Sequence, residues 1–222
     1  MKPYYERSGI TIYHGDCHQV AQSLGRFDTI LTDPVWPNNS VVEFAGMDPF
    51  KLLNSALNVC QADRLIIQLG CDSDPRFLGA VPDRWEFQRV CWLRFVRPNY
   101  KGRLLNGSEV AYVFGPPLPA SRFPGRQHLM PGESPTEGEK TCTTANGRFP
   151  GHPCPRRLQH VQWLASYFAG DTILDPFAGS GTTLVAAKAL GRTAVGIESN
   201  ERYCEIAAKR LAQEHLVFVT GS

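Results

Sequence analysis

The chain has 222 residues, a hydrophobic content of 42%, a charged content of 20% and a formal net charge of +2. These values fit one globular α/β domain with a sizeable core and exclude a globally basic coat, so any phosphate-binding surface must be local. The seven cysteines are scattered, odd in number and form no Cys-x-x-Cys or zinc-spaced Cys/His cluster, which predicts reduced thiols, a cytoplasmic setting and no metal site. The opening residues are polar, and no stretch approaches the roughly 20 apolar residues that span a bilayer, so neither a signal peptide nor a membrane partner is expected.

Ile10 to Tyr13 alternates as a short strand and ends at His14-Gly15-Asp16, and Cys17 to Leu24 reads as a short helix. Phe27 to Thr32 is a buried strand ending at Asp33-Pro34. Pro49 to Cys60 has helical spacing, with Phe50, Leu53, Leu57 and Cys60 on one face. Arg64 to Leu69, Phe87 to Phe95 and Glu109 to Phe114 are strands, the last two joined by the basic stretch Arg97 to Asn106. Gly115 to Pro155 is rich in proline, glycine and hydroxyl residues and predicts a functional loop or small insertion. Gln159 to Phe168 is an amphipathic helix. Thr172 to Leu174 is a strand, Thr183 to Leu190 a helix, Thr193 to Ile197 a strand, Glu201 to Glu214 a helix and Leu216 to Val219 a terminal strand. Strands alternating with helices imply a parallel sheet covered on both faces, with ligands at the strand carboxyl ends. Asp16, Asp33, Asp175 and Glu198 all stand at such ends. An aspartate there also caps a following helix, so Asp16 carries both readings.

The stretch Asp175-Pro176-Phe177-Ala178-Gly179-Ser180-Gly181-Thr182 is a strand-to-helix turn, and Glu198 closes the next strand nineteen residues after Gly179. Glycines let backbone approach a ligand, and the acid suits the two hydroxyls of a ribose. Leu184 stands where a dinucleotide-binding turn has its third glycine. Asp175 would repel a phosphate but suits a cation. The ligand that meets these terms is S-adenosylmethionine (AdoMet), with a sulfonium, an ammonium, a ribose and no phosphate.

Thr32-Asp33-Pro34-Val35-Trp36 can grip an amino group on a flat ring. The Asp33 carboxylate accepts one N–H, the Pro34 carbonyl the other, and Trp36 offers a stacking face. These bonds favour a pyramidal nitrogen whose lone pair points outward. An Asp-Pro pair equally initiates an ordinary turn. Arg94, Arg97, Lys101 and Arg103, interleaved with Phe95 and Tyr100, form a basic cluster, and Arg122, Arg126, Lys140 and Arg148 decorate the proline-rich segment. Such residues position a phosphate backbone.

The order of these parts resembles the permuted, beta-class amino-group DNA methyltransferases. Gly15-Asp16 before the strand ending in Asp33-Pro34-Val35-Trp36 is similar to the family's GD and D-P-P-Y. Leu104 to Val110 followed by Val113-Phe114-Gly115 is similar to its NGSE and VFG stretch. His152-Pro153-Cys154-Pro155-Arg156 is similar to its HP-x-x-K-P element, and Phe177 to Gly181 to its F-x-G-x-G turn. Val35 replaces the second proline of the first motif, Arg156 the lysine and Arg157 the last proline. The resemblance implies a Rossmann-like AdoMet-dependent fold: a mostly parallel seven-stranded sheet, helices on both faces and an antiparallel hairpin at one edge. It divides the chain into a catalytic half (1–115), a variable segment (116–151) that recognises DNA, and an AdoMet-binding half (152–222). It implies catalytic roles for Asp33, Pro34 and Trp36, and cofactor contacts by Asp16, His152, Arg156, Asp175, Phe177, Gly179, Ser180, Gly181, Thr182 and Glu198. DNA contacts fall to Arg94, Arg97, Lys101, Arg103, Arg122 and Arg126. The partner implied is DNA with its target base flipped out, as a base inside a duplex cannot reach Asp33. The acid at the first motif position leans towards adenine N6, and the family admits homodimers.

Overall fold

A computed structural model of the chain describes residues 1–36, 46, 48–70, 72–101, 103–117, 133–134 and 156–212, with backbone alone at 95–101 and 104–107. In chain order the elements are β1 (Tyr5–Arg7), β2 (Ile10–His14), α1 (Cys17–Ala21), β3 (Phe27–Thr32), α2 (Pro49–Val59), β4 (Ala62–Gly70), a 3-10 helix (Pro75–Ala80), β5 (Phe87–Lys101), β6 (Leu104–Phe114), α3 (Leu158–Phe168), β7 (Thr172–Asp175), α4 (Thr182–Ala189), β8 (Thr193–Glu198) and α5 (Glu201–Ala212). The predicted terminal strand Leu216 to Val219 lies outside the described residues.

The strands form one sheet in the order β1-β2-β8-β7-β3-β4-β6-β5. From β2 to β4 all neighbours run parallel, while β1, β6 and β5 add antiparallel edges. The sheet therefore has eight described strands rather than the seven expected. The extra one, β1, is a polar three-residue strand with no alternating apolar pattern to announce it. It pairs with β2 through the two-residue turn Ser8-Gly9, both at positive φ (53° and 76°). Two positive φ angles match the twist of a tight hairpin, and Ser-Gly was its one local sign.

Side chains alternate across the parallel strands and fill two cores. Leu31, Ile66, Ile173 and Ala194 face α3, α4 and α5, where Val161, Leu164, Phe168, Leu184, Val185, Cys204 and Ala207 meet them. Ile30, Leu65, Ile67, Leu69, Leu174 and Ile197 face α1 and α2, with Val20, Leu53, Ala56 and Leu57. Asp48 caps α2 by accepting the Lys51 N–H at 3.2 Å, and Pro49 occupies its first turn. Of the face expected for this helix, Leu53, Leu57 and Cys60 are buried and Phe50 is 43% exposed. Phe50 sits in the first turn, past the sheet, against Gly79 of the 3-10 helix.

The edge hairpin is longer than the apolar pattern indicates. Most of the basic stretch belongs to β5 and β6 themselves, with a register shift between Arg94 and Asn99. Pro98 has no N–H for the ladder, and the shift lets the strand pass it. Gly70, the last residue of β4, pairs with Glu109. The residues of β6 before Glu109, and their β5 partners, thus overhang the carboxyl end of β4. Of the segment 116–151, residues 116 and 117, Glu133 and Ser134 are described. Glu133 bridges Trp92, and the Ser134 N–H donates to the Trp92 carbonyl at 2.8 Å, along β5.

Chain order reverses between β3 and β7: β4 follows β3 on one side, β8 follows β7 on the other. A crevice opens at such a switch point outside the carboxyl ends, and Asp33 and Asp175 flank this one.

Candidate active site at the strand carboxyl ends

The turn from β7 into α4 is set by two glycines in left-handed conformations, Gly179 (φ 50°) and Gly181 (φ 78°). A Cβ on Gly181 would stand 2.7 Å from the Cβ of Ala207, so α5 also packs too closely for a side chain. Glu198 closes the turn from β8: Oε2 accepts the Gly179 N–H and Oε1 the Asn200 N–H, each at 2.8 Å. An ionised carboxylate has about four acceptor positions, so each Glu198 oxygen keeps one for a further donor. Burial pushes the Glu198 carboxyl up, against the pull of the Asn200 and Gly179 N–H groups. The parallel register sets His14 beside Glu198, and the Gly15 N–H donates to the Glu198 carbonyl at 2.9 Å. Asp16 is thereby brought to the same edge, where its Oδ1 caps α1 by accepting the Gln19 N–H at 3.1 Å.

Ser180 and Thr182 are buried, and their oxygens are engaged by a residue that sequence reasoning missed. Arg210 of α5 donates from Nη1 to the Ser180 carbonyl (2.6 Å), the Ser180 hydroxyl (3.2 Å) and the Thr182 hydroxyl (3.1 Å). Its signal was a charged residue on the buried stripe of α5, in register with Tyr203 and Ala207.

Asp175 is buried at the carboxyl end of β7. Its Oδ1 accepts the Thr32 hydroxyl at 2.8 Å and the Phe177 N–H at 3.1 Å. The first of these bonds joins the end of β3, and so the Asp33 loop, to the glycine turn. Burial pushes the Asp175 carboxyl up to about 6, opposed by hydrogen bonds from Thr183, Thr32 and Phe177. Because this value lies above the ordinary 3.8, the folded chain holds a proton that the unfolded chain has lost. Stability is therefore highest below pH 4 with respect to this group and falls as pH rises to about 6, by up to about 3 kcal/mol. Asp175→Asn is expected to lack this component. Its unfolding free energy, followed by denaturant titration from pH 4 to 7, should rise relative to the wild type across that window; parallel profiles would show that Asp175 ionises normally.

Asp33, Pro34 and Trp36 follow β3, and Pro34 is buried. Asp33 Oδ1 accepts the Trp36 indole N–H at 2.9 Å. Arg156 grips the same carboxylate in two-pronged fashion, Nε to Oδ2 at 2.5 Å and Nη2 to Oδ1 at 2.6 Å. Its guanidinium lies 3.9 Å over the Trp36 ring. Its Nη1 donates to Glu109 Oε1 at 2.9 Å, and Gln68 holds the other Glu109 oxygen at 2.8 Å. Arg156, expected at the cofactor, is thus placed on the Asp33 carboxylate. Burial pushes Asp33 up, against Arg156 and the Trp36 N–H. Burial also pushes on Glu109, but Arg156 and Gln68 outweigh it and hold Glu109 below the usual range. Gly70 makes room for Trp36: a Cβ there would meet the indole at 2.5 Å. Glu109 stood out in the sequence only as part of the NGSE-like stretch, with no role attached, and Gln68 and Gly70 not at all.

Of the basic residues, Arg94 pairs with Glu133 at 3.2 Å at an exposed position, and Arg103 is exposed at the hairpin end. Arg97 and Lys101 lie on β5, with their side chains outside the described residues. Arg122, Arg126 and His152 lie wholly outside them. No described helix is long and apolar enough to cross a membrane.

A family model described as DNA methylase, N6/N4 type, matches residues 87–209, more than half of the chain. The Type II methyltransferase M2.DpnII of Streptococcus pneumoniae is 58% identical over 66 residues, a stretch that spans 29% of this chain and 25% of that protein. The fold is similar to that of the M1.HpyAVI–SAM complex (TM-score 0.66, 22% identity, covering 90% of this chain and 99% of that one). It is also similar to the PvuII DNA methyltransferase, described as cytosine-N4-specific (TM-score 0.72, 15% identity, covering 97% and 90%).

Proposed function

Because the chain belongs to the N6/N4 DNA methylase family, we propose that it transfers a methyl group from AdoMet to the exocyclic amine of a DNA base flipped into the crevice between β3 and β7, with adenine N6 preferred. The observation that carries this reading is the Thr32–Asp175 bond, which fixes an amine-gripping carboxylate beside a glycine turn closed by an acid.

The residues fit the cofactor. Glu198 retains an acceptor on each oxygen for two ribose hydroxyls, and the Asp175 carboxylate favours a cation over a phosphate. AdoMet supplies an electrophilic methyl on a sulfonium. On the acceptor side, Oδ1 of Asp33 accepts two hydrogen bonds and Oδ2 one, leaving a position on Oδ2 for one N–H of the target. The Pro34 carbonyl takes the second. Held at both hydrogens by Asp33 and Pro34, the nitrogen would keep its lone pair out of the ring; with AdoMet bound, the C–N bond would form as the C–S bond breaks, and the cationic nitrogen would lose a proton to solvent. Rate comes from alignment and from carboxylates near the developing positive charge. The β5–β6 overhang carries the cluster Arg94, Arg97, Lys101 and Arg103 to this same end, which suits a phosphate backbone entering at the crevice.

Cytosine N4 is the second reading, since the same two acceptors serve either amine and the PvuII enzyme shares the fold. Incubation with labelled AdoMet and unmethylated DNA, followed by mass spectrometry of the nucleosides, is expected to give N6-methyladenine. N4-methylcytosine would keep the mechanism and reverse the base. No label on single- or double-stranded DNA, with AdoMet bound, would refute the DNA-modifying reading.

A further inference from the structure

We infer that Glu109, in the Asn106-Gly107-Ser108-Glu109 stretch of β6, is a positioning residue that acts through Arg156 to hold the Asp33 carboxylate in its amine-gripping orientation. The inference rests on the proposed amine transfer at Asp33 and assigns a role to a stretch that the mechanism above does not use.

The geometry is a relay that links β4, β6, the residues before α3 and the loop after β3. Gln68 on β4 donates to Glu109 Oε2, Glu109 Oε1 accepts from Arg156, and Arg156 donates twice to Asp33. The side chains of Arg156, Glu109 and Asp33 are 8%, 18% and 28% exposed, so solvent screens these bonds little. A two-pronged guanidinium fixes the plane of a carboxylate, which a single bond does not. Arg156 stacks on Trp36 and commits Nε and Nη2 to Asp33, and its Nη1 takes a further anchor from Glu109. Glu109 supplies that anchor from a strand interior, paired to both β4 and β5, so the relay ends on rigid backbone. The relay has two carboxylates and one guanidinium, for a net charge of −1.

The positioning role makes a specific claim about Glu109 variants. In Glu109→Gln the amide carbonyl still accepts from Arg156, and Gln68 turns its own amide over to meet the new NH2; the hydrogen bonds survive and a charge is lost. In Glu109→Leu the anchor is gone. Misplacement of a reacting group by about 1 Å costs on the order of 100-fold in rate. Single-turnover methyl transfer, measured on the full chain with saturating AdoMet and DNA, is expected to fall about 100-fold in Glu109→Leu. It is expected to stay within about fivefold of the wild type in Glu109→Gln, a split set by alignment. AdoMet affinity by calorimetry is expected to stay within about threefold in both, as neither variant touches the glycine turn.

A Glu109→Leu enzyme that turns over within about threefold of the wild type, while Asp33→Ala is inactive, would overturn the role of Glu109 alone. If Asp33→Ala itself remained active, the amine-grip reading would fall with it. Loss of AdoMet binding in both Glu109 variants would mark a folding role and also overturn the inference. Equal losses of turnover in Gln and Leu would show that charge, not anchorage, is what Glu109 provides.

Discussion

Asp33→Ala is expected to lower single-turnover methyl transfer by about 10³-fold or more, while AdoMet binds within about threefold of the wild type. The size follows from what the carboxylate is asked to do. In the proposed transfer it takes one hydrogen of the target amine, and with the Pro34 carbonyl it turns a lone pair that would delocalise into the ring towards the methyl carbon. Losing one preorganised partner of a reacting group costs about 10²–10³ in rate, and here the same change also frees Trp36 and Arg156. The accompanying stability loss is bounded. Removing one partner of a buried pair costs about 3–5 kcal/mol when the other charge is stranded, but Arg156 keeps Glu109. AdoMet binding, read by calorimetry on the same preparation, reports that the fold is intact, because Asp33 reaches the glycine turn only indirectly, through Thr32 and Asp175. Activity within tenfold of the wild type would remove Asp33 from the mechanism.

What the sequence discloses of this fold depends on the range of the interaction. The glycine turn was readable because its requirements are local: positive φ at Gly179 and Gly181, an acid before and a strand ending in Glu198 after. The parallel strands were readable because burial on both faces demands short, continuous apolar runs. The far half of β5 and the near half of β6 were not, since Arg97, Pro98, Asn99, Lys101, Asn106 and Gly107 break the apolar pattern that marks a strand, while the backbone ladder continues through them. Arg156 could be found but not placed. Its partner Asp33 is 123 residues away, and their meeting depends on the fold bringing the residues before α3 against the end of β3 rather than on any spacing along the chain. Gly70 is the sharpest case. Nothing local distinguishes it from a strand-ending glycine, yet it is small because an indole from another loop lies where its Cβ would be. Long-range packing of this kind also hid Gln68 and Arg210, whose polar groups serve partners on other elements.

Glu198→Ala is expected to produce the opposite signature: AdoMet affinity falls by about 100-fold or more, and the rate at saturating AdoMet stays within about tenfold. The carboxylate closes the glycine turn with two backbone N–H bonds at 2.8 Å and has one acceptor left on each oxygen. In the proposed complex two ribose hydroxyls fill these positions, and each bond to a charged acceptor contributes about 1.5–3 kcal/mol. Their loss alone corresponds to about two to four powers of ten in dissociation constant. Release of the Gly179 and Asn200 N–H groups loosens the turn and adds to it. Glu198→Gln sits between, as its amide oxygen can satisfy one backbone N–H while its NH2 faces the other. Calorimetric titration with AdoMet separates the three proteins. Binding within threefold in Glu198→Ala would place the ribose elsewhere and leave Glu198 a structural clasp on the turn. Taken with Asp33→Ala, the result separates two functions that one bond joins. In the proposed reaction the β8 acid governs whether the donor is held and the β3 acid whether the acceptor is aligned, while the Thr32–Asp175 contact joins the two strand ends.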